Sequence, residues 1–170
     1  MSKTKYKLDN IDKKIIDIVQ NEPLITHTDI SKQVERSQPT IGMRIERLED
    51  MGLLDFQAGL NVKAADLCYA RVEIVTNHPE DIFEIVEKCP FMVNAFRLSG
   101  NTNVSVILAN SEMKHLDMIV NHHFRNNPIV KKTSMNIITE VEKDFVLPME
   151  YDFSKCDCEL KEECMKSLDF

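Results

Sequence analysis

The sequence predicts an α+β protein in which a three-helix domain is followed by a ferredoxin-like β-α-β-β-α-β domain. Two observations lead to this class. Before Gly52, apolar residues recur every three or four positions, as they do on amphipathic helices. From Tyr69 the apolar period changes to two, which is typical of strands, and two helical stretches interrupt the strand pattern. We expect four segments: a three-helix domain over 1–55, a linker over 56–68, the second domain over 69–149 and an acidic, cysteine-containing tail over 150–170.

The first helix is predicted from about Asn10 to Gln20. Its apolar face is formed by Leu8, Ile11, Ile15 and Ile18, and Asn21-Glu22-Pro23 ends it. The next two helices form a pair with a tight turn between them. Thr26 is placed to cap the second helix, with Asp29 three residues later, and Ser37 is placed to cap the third. Gly52 follows the third helix, where a left-handed residue commonly ends a helix.

The third helix has two different faces. Ile41, Ile45 and Leu48 share one side, whereas Thr40, Met43, Arg44 and Arg47 lie on another arc. A DNA-recognition helix needs this division, because its buried side packs on the domain and its polar side reaches phosphates and base edges. The candidate DNA-binding residues are Ser37, Gln38, Thr40, Arg44 and Arg47. An ordinary helical hairpin with a solvated, charged face has the same periodicity, so the pattern alone leaves both interpretations open.

The second domain is predicted from alternating apolar residues and from helix signals. Strands are expected over residues 69–76, 91–98, 103–109 and 133–141. Helices are expected to begin after Asn77-His78-Pro79 and at Ser111, which is placed to cap the second of them. In this strand and helix order the helices cover one face of the sheet, so the other face is available to a second copy of the chain.

Composition and charge limit the function classes. The 170 residues are 43% hydrophobic and 29% charged, and their apolar runs are too short for a membrane span or a signal peptide. We therefore expect a cytoplasmic protein with no membrane partner. The net charge of −7 disfavours indiscriminate nucleic-acid binding, but residues 1–55 have 9 Lys/Arg against 10 Asp/Glu. Lys3, Lys5 and Lys7 either add to a local basic surface or form a solvated tail.

Several of these residues resemble one family. Leu8-Asp9, Asp12, Ile15, Ser37, Pro39, Arg44, Arg47-Leu48-Glu49 and Gly52 are similar to the N-terminal domain of the Lrp/AsnC family of transcription regulators, in its archaeal type, and the resemblance continues to Leu147-Pro148. It implies a helix-turn-helix domain joined to a ligand-sensing, oligomerising domain. The chain departs from the family at Glu35-Arg36, where the family usually has Gly-Leu. The turn therefore lacks the glycine that normally relieves backbone strain.

The resemblance implies sequence-specific binding of double-stranded DNA by a homodimer, which assembles further into octamers in part of the family. It also implies a small-molecule effector and contacts with the transcription machinery, and no cofactor is needed for DNA binding. The alternative is a metabolite-sensing or metal- and redox-sensing oligomeric module whose helix pair makes protein contacts. An enzyme is not expected, because the sequence has no Gly-rich phosphate loop, no Gly-x-Ser-x-Gly and no His-Glu-x-x-His.

The turn around Gly100 is the candidate effector site. The resemblance implies that amino-acid effectors bind near this glycine, between subunits, and that acidic residues follow it. Here the corresponding residues are Asn101 and Asn103, so both charges are missing. Ser99, Gly100, Asn101 and Asn103 therefore form either a site for a neutral or anionic ligand or simply a hairpin turn.

The cysteines and histidines suggest one further site. Cys156, Cys158 and Cys164 lie within nine residues, and three thiolates suit zinc or an iron–sulfur cluster, although a fourth ligand is missing. The alternative is that these residues only pack, with Cys164 beside Leu160 and Leu168. His122 and His123 are adjacent, so on an α-helix they should diverge by about 100° and fail to share a metal ion.

Overall fold

The computed structural model describes residues 7–167, so the predicted contributions of Lys3 and Lys5 and the packing of Leu168 lie outside the described residues. The chain forms two compact units, residues 1–57 and 58–170. In the part of the chain that is described, no helix is long and apolar enough to cross a membrane.

The first unit is a three-helix domain. Its helices are α1 (Asn10–Asn21), α2 (His27–Val34) and α3 (Gln38–Asp50). The apolar faces of the three helices meet in one core, formed by Ile15, Val19, Ile30, Val34, Ile41, Ile45, Leu48 and Leu54. The three predicted helices are confirmed. Leu8, Ile11 and Ile18 lie at the margin of this core and are half-buried.

The helix ends follow the sequence signals, with one exception. The Thr26 side chain accepts a hydrogen bond from the Asp29 backbone N–H at 3.2 Å, and Gly52 follows α3 with a left-handed φ of 61°. Ser37 occupies the N-cap position of α3 but makes no capping hydrogen bond. Its hydroxyl instead lies 2.8 Å from that of Thr40, so the predicted cap at this residue is wrong in its chemistry, though not in its position.

The second unit contains a four-stranded antiparallel sheet. Its regular elements, in chain order, are β1 (Leu60–Asn61), β2 (Cys68–Thr76), α4 (Pro79–Lys88), β3 (Met92–Arg97), β4 (Val104–Asn110), α5 (Met113–Val120), β5 (Val130–Ile138), β6 (Val146–Leu147) and α6 (Lys161–Lys166). The sheet order is β3-β4-β2-β5, and all neighbouring strands are antiparallel. With α4 and α5 in the two crossovers, this is the predicted ferredoxin-like arrangement.

The helices cover one face of the sheet. Ala70, Val72 and Ile74 of β2 point into a core that includes Ile82 of α4 and Leu116 of α5. On the other face, the short strands β1 and β6 pair with each other, and a small cluster surrounds Tyr69 and Ala109. Much of the remaining face is without a covering layer within the described chain.

Three local features differ from prediction. β5 begins and ends three residues earlier than the predicted strand over 133–141. Glu112, not Ser111, occupies the N-cap position of α5, because the Asn110 side chain accepts the Glu112 backbone N–H at 2.8 Å and delays the start of the helix. After α5 the chain continues as a π-helical turn over Asn121–Arg125, in which the Asn126 N–H donates to the Asn121 carbonyl at 3.0 Å.

Candidate functional site

The polar face of α3 is largely accessible. Ser37, Gln38, Met43 and Arg47 are exposed, and Thr40 and Arg44 are half-buried. Ile41, Ile45 and Leu48 are buried on the opposite side, as the sequence predicts. The Arg47 side chain retains 52% of its accessible area, whereas that of Arg44 retains only 23%. The two arginines are therefore not equivalent.

A buried carboxylate on α1 explains the difference between them. The Asp12 side chain is 2% exposed, and its Oδ1 accepts a hydrogen bond from Arg44 Nη1 at 2.6 Å. Its Oδ2 accepts one from Arg47 Nη2 at 2.8 Å and one from the Asp9 backbone N–H at 3.1 Å. Arg44 Nη1 also donates to Asp9 Oδ2 at 2.8 Å. The sequence predicts both arginines on an exposed face, and it does not predict this carboxylate cluster.

The cluster joins the cap of α1 to the middle of α3. The Asp9 side chain accepts the backbone N–H groups of Ile11 and Asp12, which forms a capping box with Asp12. The pKa of Asp9 is lowered to about 2. The hydrogen bond from the Asp12 backbone N–H is the largest cause, and the hydrogen bond from Arg44 is the second. The bond to Asp9 in turn raises the pKa of Arg44. The arrangement fixes the orientation of α3 relative to α1.

The turn between α2 and α3 contains a left-handed residue. Glu35 has φ 54° and ψ 49°, a conformation that normally favours glycine. The Arg36 guanidinium donates to the Glu35 carbonyl at 2.8 Å, and the Arg36 backbone N–H donates to the Ser31 carbonyl. Glu35 therefore adopts the left-handed conformation that suits glycine and carries the backbone strain that a glycine would avoid.

The predicted effector loop is the connection between β3 and β4. Ser99, Gly100 and Asn101 are exposed, while Asn103 is half-buried. The Asn103 side chain accepts the Thr76 backbone N–H at 3.0 Å and donates to the Thr76 carbonyl at 2.6 Å. Asn103 thus joins the loop to the end of β2. None of these four loop residues has a positive φ. The backbone at Asn101 and Asn103 therefore does not require residues that tolerate a left-handed conformation.

The tail packs into the second unit. Phe153, Cys156 and Cys164 are buried in its main core, beside Cys89 of the segment after α4. The Sγ atoms of Cys156 and Cys158 lie 3.7 Å apart. Burial raises the pKa of Cys89 and of Cys164 to about 12, and the nearby thiols contribute to both shifts. Four of the five cysteines therefore gather in one region, although they are separated in sequence.

The ligand set differs from the predicted one. Among the described residues, the one group of three histidine, cysteine or acidic side chains with ligand atoms within 4.8 Å of one another is His122, His123 and Cys158. Cys156 and Cys164 are not part of it, although the Cys156 thiol lies beside that of Cys158. The expected divergence of the adjacent histidines is not found: both lie in the π-helical turn, their ring centroids are 4.7 Å apart, and each has a ligand atom within 4.8 Å of the other. The pKa of His123 is lowered to about 4. Burial is the main cause, and the nearby His122 ring adds to it.

Two family models match the chain. Residues 8–55 match a model described as winged helix-turn-helix DNA-binding. Residues 67–147 match the Lrp/AsnC ligand binding domain. The two matches cover the three-helix unit and the βαββαβ part of the second unit, and they leave the tail outside.

Curated relatives include two archaeal regulators. The chain is 27% identical over 114 residues to the HTH-type transcriptional regulator FL11 of Pyrococcus furiosus, covering 65% of this chain and 76% of that protein. It is 23% identical over 137 residues to the HTH-type transcriptional regulator LrpA of Pyrococcus horikoshii, covering 78% of this chain and 97% of that protein.

Solved structures share the fold. Escherichia coli AsnC superposes with a TM-score of 0.70 at 15% identity, over 82% of this chain and 99% of that one. A transcriptional regulator of Neisseria meningitidis, solved in complex with L-methionine, superposes with a TM-score of 0.67 at 24% identity, over 84% of this chain and 97% of that one. With both family models and these relatives in agreement, the chain belongs to the Lrp/AsnC family of DNA-binding transcription regulators.

Proposed function

We propose that the chain reads double-stranded DNA with α3, as a homodimer whose second domain responds to a small effector. Residues 1–55 would bind DNA, 56–68 would link the domains and 69–149 would form the oligomerising and effector domain. The observation that supports this most is the polar face of α3, whose buried side packs on α1 and α2 while Gln38 and Arg47 remain exposed.

The proposed DNA contacts divide by position. Ser37, Gln38 and Thr40 lie at the start of α3, where short polar side chains reach bases or phosphates. Arg47 has half of its side chain exposed and is the cation that we place on DNA. Arg44 contributes a smaller exposed edge, and its main role is to hold α3 on the Asp9 and Asp12 carboxylates.

The uncovered sheet face supports dimerisation. It presents Arg71 paired with Glu73 on β2 at 2.8 Å, the half-buried Ile107 on β4, and the exposed Phe96 and Ile138 on the outer strands. Apolar side chains beside a charged pair suit an isologous interface. A two-fold dimer requires a pseudo-palindromic operator, and further association of dimers into an octamer would let the protein span several such sites.

The effector proposal concerns the loop around Gly100. The Neisseria meningitidis relative was solved in complex with L-methionine, which supports a small-molecule effector for this chain. In this chain Ser99, Gly100 and Asn101 are exposed, and Asn103 is bonded to Thr76. Without a carboxylate at Asn101 or Asn103 to pair with an ammonium group, we propose a neutral or anionic effector. Its binding would alter contacts with DNA or with the transcription machinery.

Selection of bound duplexes from a random-sequence pool tests the DNA proposal. We expect a pseudo-palindromic site with half-sites one or more helical turns apart.

On that duplex, Arg47→Ala should lower the salt slope by about 0.9 if a phosphate contact is lost, or relax one base position at a cost of about 1–3 kcal/mol if a base contact is lost. Lys14→Ala, an exposed change on α1, is the matched control. Unchanged binding by Arg47→Ala and by Gln38→Ala together would contradict the assignment of α3.

A further inference from the structure

A cavity of ≈ 340 Å³ lies where the tail meets α4 and the π-helical turn. Two imidazoles and three thiols line it, contributed by His122, His123, Cys89, Cys156 and Cys158. Three acidic side chains, those of Asp81, Glu84 and Asp157, also line the cavity, so it contains both soft metal ligands and negative charge. The Lys88 ammonium lies 2.8 Å from Asp157 and neutralises part of that charge. The combination is unusual for a site whose only role is packing.

The π-helical turn brings the two histidines to this cavity. In a π-helical turn each residue rotates less than the 100° of an α-helix, so neighbouring side chains diverge less. The rings of His122 and His123 meet edge to face, with an interplanar angle of 87°. One ring nitrogen from each lies within 4.8 Å of the other and of Cys158 Sγ. Both histidines are half-buried, which limits their contact with bulk water.

The tail supplies the thiols. Cys156 and Cys158 are separated by one residue, and their Sγ atoms are 3.7 Å apart. Two sulfurs bound to one tetrahedral zinc ion at about 2.3 Å would be about 3.8 Å apart, which is nearly the same separation. The Lys161 ammonium donates to the Cys156 carbonyl at 3.0 Å and fixes this part of the tail.

We propose that His122, His123, Cys156 and Cys158 form a tetrahedral zinc site that fastens the C-terminal tail to the end of α5. Mixed sulfur and nitrogen donors in a set of four favour Zn²⁺ over Mg²⁺ or Ca²⁺, which prefer oxygen ligands. His122, His123 and Cys158 have ligand atoms within 4.8 Å of one another, whereas a tetrahedral edge is about 3.3–3.8 Å, so the ion would draw them together by up to about 1.5 Å. Cys156 lies outside that group and would reach the ion from its place 3.7 Å from Cys158 by a movement of its own side chain.

This assignment replaces Cys164 with two histidines, so that the set of four ligands is complete. Cys164 and Cys89 then remain thiols, buried beside the site at 3% and 7% exposure. The site is structural in kind, because all four positions are filled by protein and none is left for a substrate. It makes the position of residues 156–158 dependent on metal, and it does not depend on how the chain contacts DNA.

The first test measures metal and its ligands directly. Full-length protein, reduced and stripped with a chelator, is titrated with Zn²⁺ and then analysed by elemental analysis and zinc X-ray absorption. We expect one zinc per chain, with two sulfur neighbours at about 2.3 Å and two nitrogen neighbours at about 2.0–2.1 Å. Failure to retain zinc, or a shell of three or four sulfurs, would overturn the proposal.

Variants provide the second test. Cys158→Ser and His123→Ala should each abolish stoichiometric zinc retention, whereas Cys68→Ser, a thiol outside the cavity, should retain it. Cys164→Ala should also retain zinc. If Cys164→Ala loses zinc while His123→Ala retains it, the ligands are four thiols and the proposed site is wrong. Circular dichroism of each apo variant separates a lost ligand from a lost fold. Cobalt(II) titration supplies a second readout, since thiolate-to-cobalt absorption should appear in wild type and weaken on Cys156→Ser.

Discussion

Asp12, at the start of α1, and Arg44, in the middle of α3, form an ion pair of 2.6 Å in which the carboxylate is almost fully buried. The pair joins residues 32 positions apart and holds a half-buried positive charge of α3 against a buried carboxylate of α1. A charge that is buried and bonded on several sides is expensive to leave without a partner. The polar face of α3 therefore owes its orientation partly to electrostatics within the domain.

Arg44→Ala should destabilise the first unit more than Arg47→Ala. Loss of Arg44 leaves the buried Asp12 carboxylate with fewer donors, at a cost of about 1–3 kcal/mol. Arg47 is half exposed, and its acceptor, Asp12 Oδ2, keeps the hydrogen bond from the Asp9 backbone N–H, so removal of Arg47 should cost less than about 1 kcal/mol. Urea unfolding, with hydrogen exchange of α1 and α3 to locate the effect, measures both. Lys32→Ala breaks an exposed pair with Asp29 and serves as control. Equal effects of the two arginine changes would contradict this order.

The Asp9 cap predicts a loss of stability in acid. The pKa of Asp9 is lowered to about 2 in the folded chain, from an ordinary value of 3.8, chiefly by the Asp12 backbone N–H. The folded state thus favours the ionised carboxylate, and its stabilisation is complete above about pH 4 and lost as the pH falls towards 2. Asp9→Asn should flatten the pH dependence of thermal unfolding in this window. An unchanged slope in the variant would show that Asp9 does not contribute.

Glu35→Gly should stabilise the turn between α2 and α3. A left-handed conformation costs a non-glycine residue about 1–2 kcal/mol, and glycine removes that cost while adding freedom to the unfolded chain. The expected net gain is about 0.5–1 kcal/mol in the free energy of unfolding. Glu35→Ala keeps a Cβ atom and should bring no such gain. If alanine and glycine behave alike, side-chain interactions of Glu35, and not its backbone, determine stability here.

Asn103→Ala should loosen the loop between β3 and β4. The change removes both hydrogen bonds to the Thr76 backbone, which leaves those groups without partners, and should cost about 1–3 kcal/mol. Asn101→Ala alters an exposed neighbour and should stay within about 0.5 kcal/mol of wild type. Thermal unfolding compares the two. Amide exchange at Thr76 should accelerate only in the Asn103 variant, because the Thr76 N–H donates to the Asn103 side chain, and equal protection in both would refute the role assigned to Asn103.

Periodicity was sufficient to predict the fold. The change from a helical to a two-residue period separated the three-helix part from the β-α-β-β-α-β part, and local chemistry placed the ends at Thr26 and Gly52. These signals work because each depends on neighbours within a few residues. Ser37 and Ser111 show where this reasoning fails. The Ser37 hydroxyl contacts the Thr40 hydroxyl and caps no backbone N–H, and the Asn110 side chain accepts the Glu112 N–H at the start of α5.

The sites were harder to predict because their parts are distant in sequence. Nothing near Arg44 indicates that Asp9 and Asp12 bind it, although an acidic pair at the start of α1 is visible in the sequence. His122 and His123 were assigned to a regular α-helix, and the π-helical turn changes the angle between them. The proximity of Cys158 to these histidines arises only when the tail folds back on the second unit.

The π-helical turn has a consequence for comparing this chain with its relatives. A helix that closes one ring over five residues in place of four contains one residue more than the regular helix that would span the same length. Relatives that lack the turn should therefore be one residue shorter between Val120 and Asn126, and an ungapped alignment there would pair the wrong side chains. An extra residue at this place, found in relatives that also have a tail cysteine pair and missing from those without one, would mark an inherited insertion that has become part of the proposed zinc site.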